Sequence, residues 1–302
     1  MNGLKHKTYK LTDLLDAKFM ARLDGLDVAS RKMLRGRLQG ERRSKRRGQS
    51  VEFADHRPYV VGDDLRFVDW NIYGRLGQLF LKLYQEELDL TVHVAFDQSL
   101  SMGQPTPGKY RFVRQLAAAL GYVSLVHNNR VTVSAFADRV TSQAANLRGR
   151  ARVSALAELL MTVESDGPSL FDVACKQLVA STPSSGVMLV ISDFLFKEGY
   201  ESGLKRLIGR GHDLYVIQTL APEELNPSLS GDLKLVDIED GDLSEVTVSS
   251  ALIKHYKKNI AGYCNELKGF CARHGAAYIL ASTDQPVDKL VLNTLRRIHL
   301  LQ

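Results

Sequence analysis

The run TVHVAFDQSLSMG, residues 91–103, joins an apolar stretch to an acidic residue and two serines. A bounded apolar run of this length predicts a buried strand. It places Asp97 at the carboxyl end of the strand, where open α/β sheets bind their ligands. Ser99 and Ser101 follow at the second and fourth positions after Asp97, so one extended loop can direct three oxygen-bearing side chains at a single point. Oxygen donors of this kind favour Mg²⁺, Mn²⁺ or Ca²⁺ over zinc.

Strand-like and helical stretches alternate from residue 89 onward. Four further apolar runs lie at residues 131–136, 187–192, 213–220 and 277–281, with helical patterns between them. This alternation predicts a mainly parallel, Rossmann-type α/β sheet with helices on both faces. Residues 233–249 interrupt it with two short strand patterns around a Glu-Asp-Gly-Asp turn, which predicts an inserted β-hairpin.

Two more oxygen-bearing side chains follow later in the chain. Asp193 ends the run VMLVIS, and Ser169 lies in a loop directly before a helical stretch. If the strands that end at Asp97 and Asp193 are neighbours, both carboxylates lie at one edge of the sheet. We therefore expect one divalent cation here, Mg²⁺ first, with Mn²⁺ or Ca²⁺ as alternatives. The simpler interpretation is that the serines only cap a helix. The expected ligands are Asp97, Ser99, Ser101, Ser169 and, directly or through water, Asp193.

Residues 51–88 have a different pattern, in which short strand-like runs at 57–61, 65–70 and 79–84 are joined by tight turns. They predict a β-ribbon that carries alternating arginine and aspartate side chains. Because guanidinium groups pair bidentately with carboxylates, an ion-pair network can hold the ribbon, and part of it can contact a partner. Trp70, the only tryptophan, is expected to anchor the ribbon on the α/β domain. The expected partner-binding residues are Arg57, Tyr59, Asp63, Arg66, Asp69, Trp70 and Arg75.

The net charge of +6 is concentrated near the N-terminus. Residues 1–50 contain 14 Lys and Arg against 5 Asp and Glu, a balance of +9, so the rest of the chain carries −3. Most of the basic residues lie at 31–47. They predict either a surface that docks an acidic protein or nucleic acid, or only a solvated basic helix. The absence of aromatic residues from 31–47 weighs against single-strand binding.

Composition also bears on the compartment and the domain organisation. The sequence has no run of about 20 apolar residues, which a membrane span requires, and no secretory signal pattern. Cys175, Cys264 and Cys271 match no zinc or disulfide spacing, which fits a reducing cytoplasm. We expect a basic helical segment at 1–50, the ribbon at 51–88 and the α/β domain at 89–302.

Hydrolase chemistry has little support in the sequence. A haloacid-dehalogenase-like phosphohydrolase needs a second acid two residues after its nucleophilic Asp, and Ser99 occupies that position. Neither a GxSxG elbow nor a Walker GxxxxGK[ST] loop is present. A serine nucleophile needs a paired base, and the histidines are scattered along the chain.

The candidate ligands resemble the metal-ion-dependent adhesion site of von Willebrand factor A domains, with Ser169 at the position usually held by Thr. The upstream residues resemble the signature of the domain of unknown function 58 family. They are Glu52-Phe53, Arg57-Pro58-Tyr59, Gly62-Asp63-Asp64, Arg66, Asp69-Trp70 and Arg75.

Members of that family carry a von Willebrand A-like domain and are typically encoded beside MoxR-type AAA+ ATPases. The resemblance therefore implies a von Willebrand A-like fold and a non-enzymatic, metal-dependent adaptor or chaperone-like module that works with such an ATPase. In these sites an Asp or Glu of the partner completes the metal coordination. Many relatives begin with two transmembrane helices, which this sequence lacks, so it resembles the soluble branch. Nucleic-acid binding through the basic segment and metal-dependent hydrolysis stay as alternatives.

Overall fold

The computed structural model of the protein describes residues 9–30, 51–86, 90–105, 108–182, 184–239 and 241–301, with the backbone alone for 51–55 and 83–86. The chain divides into two compact units. The α/β unit comprises Met1–Leu38 and Leu90–Gln302, and the ribbon unit comprises Gln39–Asp89. The basic segment predicted at 31–47 lies outside the described residues.

The strands in chain order are β1 Val51–Pro58, β2 Phe80–Glu86, β3 Thr91–Asp97, β4 Arg130–Phe136, β5 Val140–Leu147, β6 Val187–Ser192, β7 Asp213–Leu220, β8 Gly231–Val236, β9 Leu243–Val248 and β10 Ala277–Ser282. The helices are α1 Ala17–Leu23, α2 Trp70–Leu76, α3 Gly108–Val126, α4 Val153–Thr162, α5 Phe171–Ser181, α6 Glu201–Gly209, α7 Pro222–Leu225, α8 Ser250–Arg273 and α9 Val287–Lys289. A π-helical turn at Leu290–Leu295 follows α9.

A six-stranded sheet in the order β10-β7-β6-β3-β4-β5 forms the centre of the α/β unit. All neighbours are parallel except β5, which pairs antiparallel with β4 at one edge. Parallel neighbours require crossover connections, which are usually helices. The predicted α/β fold class, a mainly parallel sheet with helices on both faces, is confirmed.

Alternate side chains of the central strands enter two different cores. Val92, Val94 and Phe96 of β3 join the larger core, which α3 and α4 also line. Ala95 joins the second core, which α5, α6 and α8 line. Successive side chains of a strand point to opposite faces, and here each face is covered by helices. This burial on both sides explains why the strands form continuous apolar runs in the sequence.

Residues 9–30 belong to the α/β unit, although the sequence predicted one separate segment at 1–50. Leu11, Phe19 and Leu23 pack in the larger core of that unit. The Tyr122 hydroxyl in α3 donates a hydrogen bond to Asp24 at 2.7 Å. The apolar face that predicted a helix near the N-terminus is therefore buried against the sheet domain.

The predicted hairpin at 233–249 is confirmed. Strands β8 and β9 pair antiparallel, with Gly231 opposite Val248, in a two-stranded sheet of their own. The hairpin follows β7 and α7 and precedes α8, and most of its residues are exposed.

The ribbon unit pairs β1 with β2 antiparallel, as predicted. The strand predicted at residues 65–70 is wrong, because a 3₁₀ turn at Leu65–Phe67 and helix α2 occupy this stretch. Asp69 accepts hydrogen bonds from the amides of Asn71 and Ile72, and this N-cap favours a helix start over an extended strand. Gly77 ends α2 at a φ of 65°, a left-handed conformation that glycine adopts without strain.

His93 is a buried core residue of β3. Its ring meets the ring of His212 edge-on at 5.3 Å, and burial and then the nearby His212 lower the pKa of His93 to about 4. The unfolded chain, with a pKa near 6.5, binds the proton more readily, so stability is lost as pH falls below about 6.5. We expect His93 to contribute about 2 kcal/mol of this loss between pH 7 and pH 5.

Urea unfolding of the wild type and His93→Gln at both pH values measures the contribution of His93. The variant should lose less stability than the wild type on acidification, and exposed His127→Gln should follow the wild-type curve. Equal pH dependence in the wild type and His93→Gln would contradict the assignment.

Candidate metal and ligand-binding site

The predicted site residues of the α/β unit meet at the carboxyl edge of the sheet. β3 and β6 are parallel neighbours, with Phe96 opposite Ile191, so Asp97 and Asp193 leave adjacent strands together. The loop after β3 also bonds to the loop before α5. The Leu100 amide donates to the Gly167 carbonyl at 3.0 Å. The topology therefore brings the three predicted loops into one place.

Asp97 is fully buried and already hydrogen-bonded on both oxygens. Its Oδ1 accepts from the Ser99 amide at 2.8 Å, and its Oδ2 accepts from the Ser192 hydroxyl at 2.7 Å. Burial and then the charge of Asp193 raise the pKa of Asp97 to about 7. Ser192 was not predicted as a site residue. Its position at the end of β6, beside Asp97 at the end of β3, could have indicated it. A cation would stabilise the charged form of a buried carboxylate that lies this close to a second carboxylate.

The three predicted serines provide hydroxyl oxygens that could bind a cation. Ser99 Oγ lies 3.1 Å from Ser101 Oγ. The Ser99 side chain makes no cap bond to the following turn, Leu100–Gly103, so the helix-cap interpretation lacks its defining contact at this residue. The hydroxyl of Ser169 is buried and has no hydrogen-bond partner among the described residues. An unpartnered buried hydroxyl is costly, and a bound cation would satisfy it.

Lys109 is a site residue that the sequence analysis missed. Its side chain is completely buried at the start of α3, and its Nζ donates to Asp193 Oδ2 and Glu224 Oε1, at 2.7 Å each. Burial lowers the pKa of Lys109, but the two carboxylates outweigh burial and hold it above its usual value. A lysine in the first helical turn is unfavourable, because its charge opposes the helix dipole. Its position in the sequence could therefore have indicated that acidic side chains compensate its charge.

Gly103, Gly108 and Lys109 also match the GxxxxGK part of a phosphate-binding loop motif. The motif requires Ser or Thr at the next position, and this chain has Tyr110 there. The Lys109 ammonium is bound by two carboxylates in the interior. This arrangement is that of an internal counter-charge to Asp193 rather than of a phosphate ligand.

Glu239 is the second missed residue, and it comes from the turn between β8 and β9. Its Oε2 accepts a hydrogen bond from the Ser169 amide at 3.4 Å. Burial raises the pKa of Glu239 above its usual value, and the Ser169 amide and the nearby Ser101 side chain partly oppose this rise. The acidic turn was visible in the sequence, but its distance of 70 residues from Ser169 concealed the contact.

The donor set fits a hard divalent cation. The described residues contain no group of three or more His, Cys, Asp or Glu side chains that could hold a metal ion, so binding would depend on the serine hydroxyls. Ser99, Ser101 and Ser169 supply neutral oxygens beside the Asp97 and Glu239 carboxylates, a combination suited to Mg²⁺. Asp193, expected to act directly or through water, pairs with the buried Lys109 ammonium and accepts a hydrogen bond from the Leu195 amide.

The predicted partner-binding residues form local pairs within the ribbon unit. Arg57 pairs with Asp63 and Arg66 with Asp64, both at 2.6 Å. Asp69 pairs with His56 at 3.0 Å and with Lys82 at 3.4 Å, instead of with an arginine. The hydrogen bond from His56, followed by weaker contributions, lowers the pKa of Asp69 to about 2. Arg57 and Arg66 thus pair within the predicted set of arginines and aspartates, whereas Asp69 pairs outside it.

Aromatic and basic groups of the ribbon unit are open to solvent. Trp70 is 61% exposed and meets Tyr73 edge-on at 6.0 Å, so its prediction as a buried anchor is wrong. A helix of seven residues that begins at Trp70 turns this side chain outward. Arg75 is exposed and Tyr59 is half-buried.

Comparison with known proteins identifies relatives over most of the chain. The sequence profile of a family described as "Protein of unknown function DUF58" matches residues 55–263. Uncharacterized proteins of Mycobacterium tuberculosis and Mycobacterium bovis are 23% identical over 278 residues, which cover 90% of this chain and 87% of theirs. The family match includes residues of both structural units.

Solved structures with low sequence identity are also similar. The conserved hypothetical protein BatB of Bacteroides thetaiotaomicron is 15% identical, with 69% of this chain and 98% of that chain covered and a TM-score of 0.43. An aerotolerance-related membrane protein of Bacteroides fragilis is also 15% identical, with coverages of 69% and 99% and a TM-score of 0.41. None of the helices described in this chain has the length and apolar character that a bilayer span needs.

Proposed function

The chain belongs to the DUF58 family of proteins of unknown function, and we propose that it is a non-enzymatic, metal-dependent protein-interaction module. The three serine hydroxyls and Asp97 would hold one divalent cation, Mg²⁺ first. The cation would supply an open coordination position for an acidic side chain of a partner. Asp193, neutralised by Lys109, would contribute through water.

The buried, unpartnered hydroxyl of Ser169 is the observation that carries this proposal. It belongs to the loop whose backbone bonds to the loop of Ser99 and Ser101. Both Asp97 oxygens are already oriented by hydrogen bonds, so the site needs little reorganisation. Preorganised oxygen ligands that are buried together favour binding of a hard cation.

A hydrolytic role has less support from the site. No histidine is among the hydrogen-bond partners of Ser99, Ser101 or Ser169 in the described structure. A serine nucleophile needs such a base. Lys109 is saturated by two carboxylates and is therefore no substitute.

We further propose that the partner is a MoxR-type AAA+ ATPase of the cytoplasm, an expectation that rests on the family resemblance. The exposed Trp70 and Arg66 of the ribbon unit support a contact surface, because tryptophan and arginine are enriched among residues that dominate interface energies.

The metal proposal predicts that Mg²⁺ stabilises the protein. At a Mg²⁺ concentration 100 times its dissociation constant, the free energy of unfolding should rise by about 2.7 kcal/mol. Ser169→Ala, which removes only the hydroxyl, and Asp97→Ala should lose most of this rise. Calorimetric titration of MgCl₂ and urea unfolding with and without Mg²⁺ measure it.

Exposed Ser154 in α4 provides the matched control, and Ser154→Ala should respond to Mg²⁺ as the wild type does. Absence of Mg²⁺ and Mn²⁺ binding in the wild type, or equal binding in Ser169→Ala, would contradict the metal site. A MoxR-type AAA+ ATPase of the same organism should be captured with MgCl₂ and released by EDTA. Equal capture by Ser169→Ala would contradict a metal-mediated contact.

A further inference from the structure

The turn between β8 and β9 places a carboxylate on the candidate site from within the chain. Glu239 accepts a hydrogen bond from the Ser169 amide at 3.4 Å and lies near the Ser101 side chain. These two serines belong to the two loops that would hold the cation. An acidic side chain of a partner that completed the coordination of the cation would need the same position.

Among the described residues, the hairpin that carries Glu239 forms a two-stranded sheet of its own, separate from the six-stranded sheet. Its strands are mostly exposed. Near the turn, Lys197 of the loop after β6 forms an ion pair with Asp237 at 2.8 Å. The two side chains are 57% and 34% exposed, and ion pairs that are open to solvent contribute little stability.

Tethering makes such a contact effective at little energetic cost. A ligand joined to its site by a short segment has an effective concentration in the millimolar range. An external ligand then binds only the fraction of molecules in which the site is free, and its apparent affinity falls by that fraction. A weak contact within the chain is thus sufficient to compete with external ligands of low affinity.

We propose that Glu239 is a built-in competing ligand and that the β8–β9 hairpin must release it before an acidic partner side chain can bind. This inference rests on the proposed function, since it concerns access to the same metal site. It gives the inserted hairpin a regulatory role, in which any event that pulls the hairpin away opens the site.

A peptide that copies the hairpin, residues 231–248, serves as the probe. With MgCl₂ present, a fluorescently labelled peptide should bind full-length Glu239→Ala about tenfold or more tightly than the wild type, measured by fluorescence anisotropy. The peptide that itself carries Glu239→Ala should not bind. Adding Ser101→Ala to Glu239→Ala should abolish binding, because the proposed cation site then loses one of its hydroxyl ligands.

Glu245, an exposed acid of β9, provides the matched control, and the Glu245→Ala chain should bind the peptide as weakly as the wild type does. Calorimetric titration of MgCl₂ into the wild type and Glu239→Ala separates two failures. If Mg²⁺ binds both chains but Glu239→Ala gains no peptide affinity, the hairpin contact is only structural and this inference is overturned. If the wild type binds no Mg²⁺, the proposed function fails first.

Discussion

Replacing Lys109 with methionine is expected to lower the free energy of unfolding by about 3–5 kcal/mol, the usual cost of removing one partner from a buried ion pair. The Lys109 ammonium is fully buried between Asp193 and Glu224. Methionine preserves most of the side-chain volume but leaves both carboxylates without their cation, and Asp193 is also close enough to Asp97 to raise its pKa. Urea unfolding at pH 7 in EDTA measures the loss without a metal contribution.

Two controls make the Lys109 experiment specific. Lys176 forms an exposed ion pair with Asp172 at 3.7 Å, and Lys176→Met should change stability by about 0.5 kcal/mol or less. Adding Asp193→Asn and Glu224→Gln to Lys109→Met should restore much of the stability, because no buried charge then lacks a partner. A Lys109→Met protein within about 1 kcal/mol of the wild type would contradict the counter-charge role.

Phe194→Ala is expected to cost about 3–5 kcal/mol, the range for buried phenylalanine truncations. Phe194 follows Asp193, is fully buried, and meets the rings of Phe171 and Phe196 with centroids 5.8 Å away in each case. Phe171 begins α5, two residues after Ser169, so this aromatic cluster holds the Ser169 loop against the Asp193 loop. We therefore expect the variant also to lose part of its Mg²⁺-dependent stabilisation.

The backbone conformation at Phe194 allows phenylalanine and alanine to be compared directly. Phe194 has a φ of 59°, and alanine shares the steric cost of this left-handed conformation, so the substitution isolates the aromatic side chain. Its neighbour Leu195 is 39% exposed, and Leu195→Ala should cost less than about 1.5 kcal/mol. Urea unfolding measures both variants, and equal losses would show that the cluster contributes little.

Local patterns were sufficient to predict the sheet and the first loop of the site. β3 and β6 are buried throughout because helices cover both of their faces, and this burial is visible in the sequence as mostly hydrophobic runs. Asp97, Ser99 and Ser101 lie within five residues, so their shared loop follows from strand geometry alone. The position of Asp193 required one further assumption, the adjacency of β3 and β6, which the strand order confirms.

The contacts that determine how this site behaves join distant parts of the chain. Lys109 reaches Asp193 across 84 residues and Glu224 across 115, and Glu239 reaches Ser169 across 70. Hydrophobic periodicity records which side of an element is buried, but it carries no information about which charged groups the topology brings together. The sequence by itself therefore determined the parallel α/β fold, the hairpin and the serine-rich loop. Only the tertiary structure assigned Lys109 to Asp193 and Glu239 to the serines, because opposite charges and hydrogen-bond donors select their partners by distance in the folded chain.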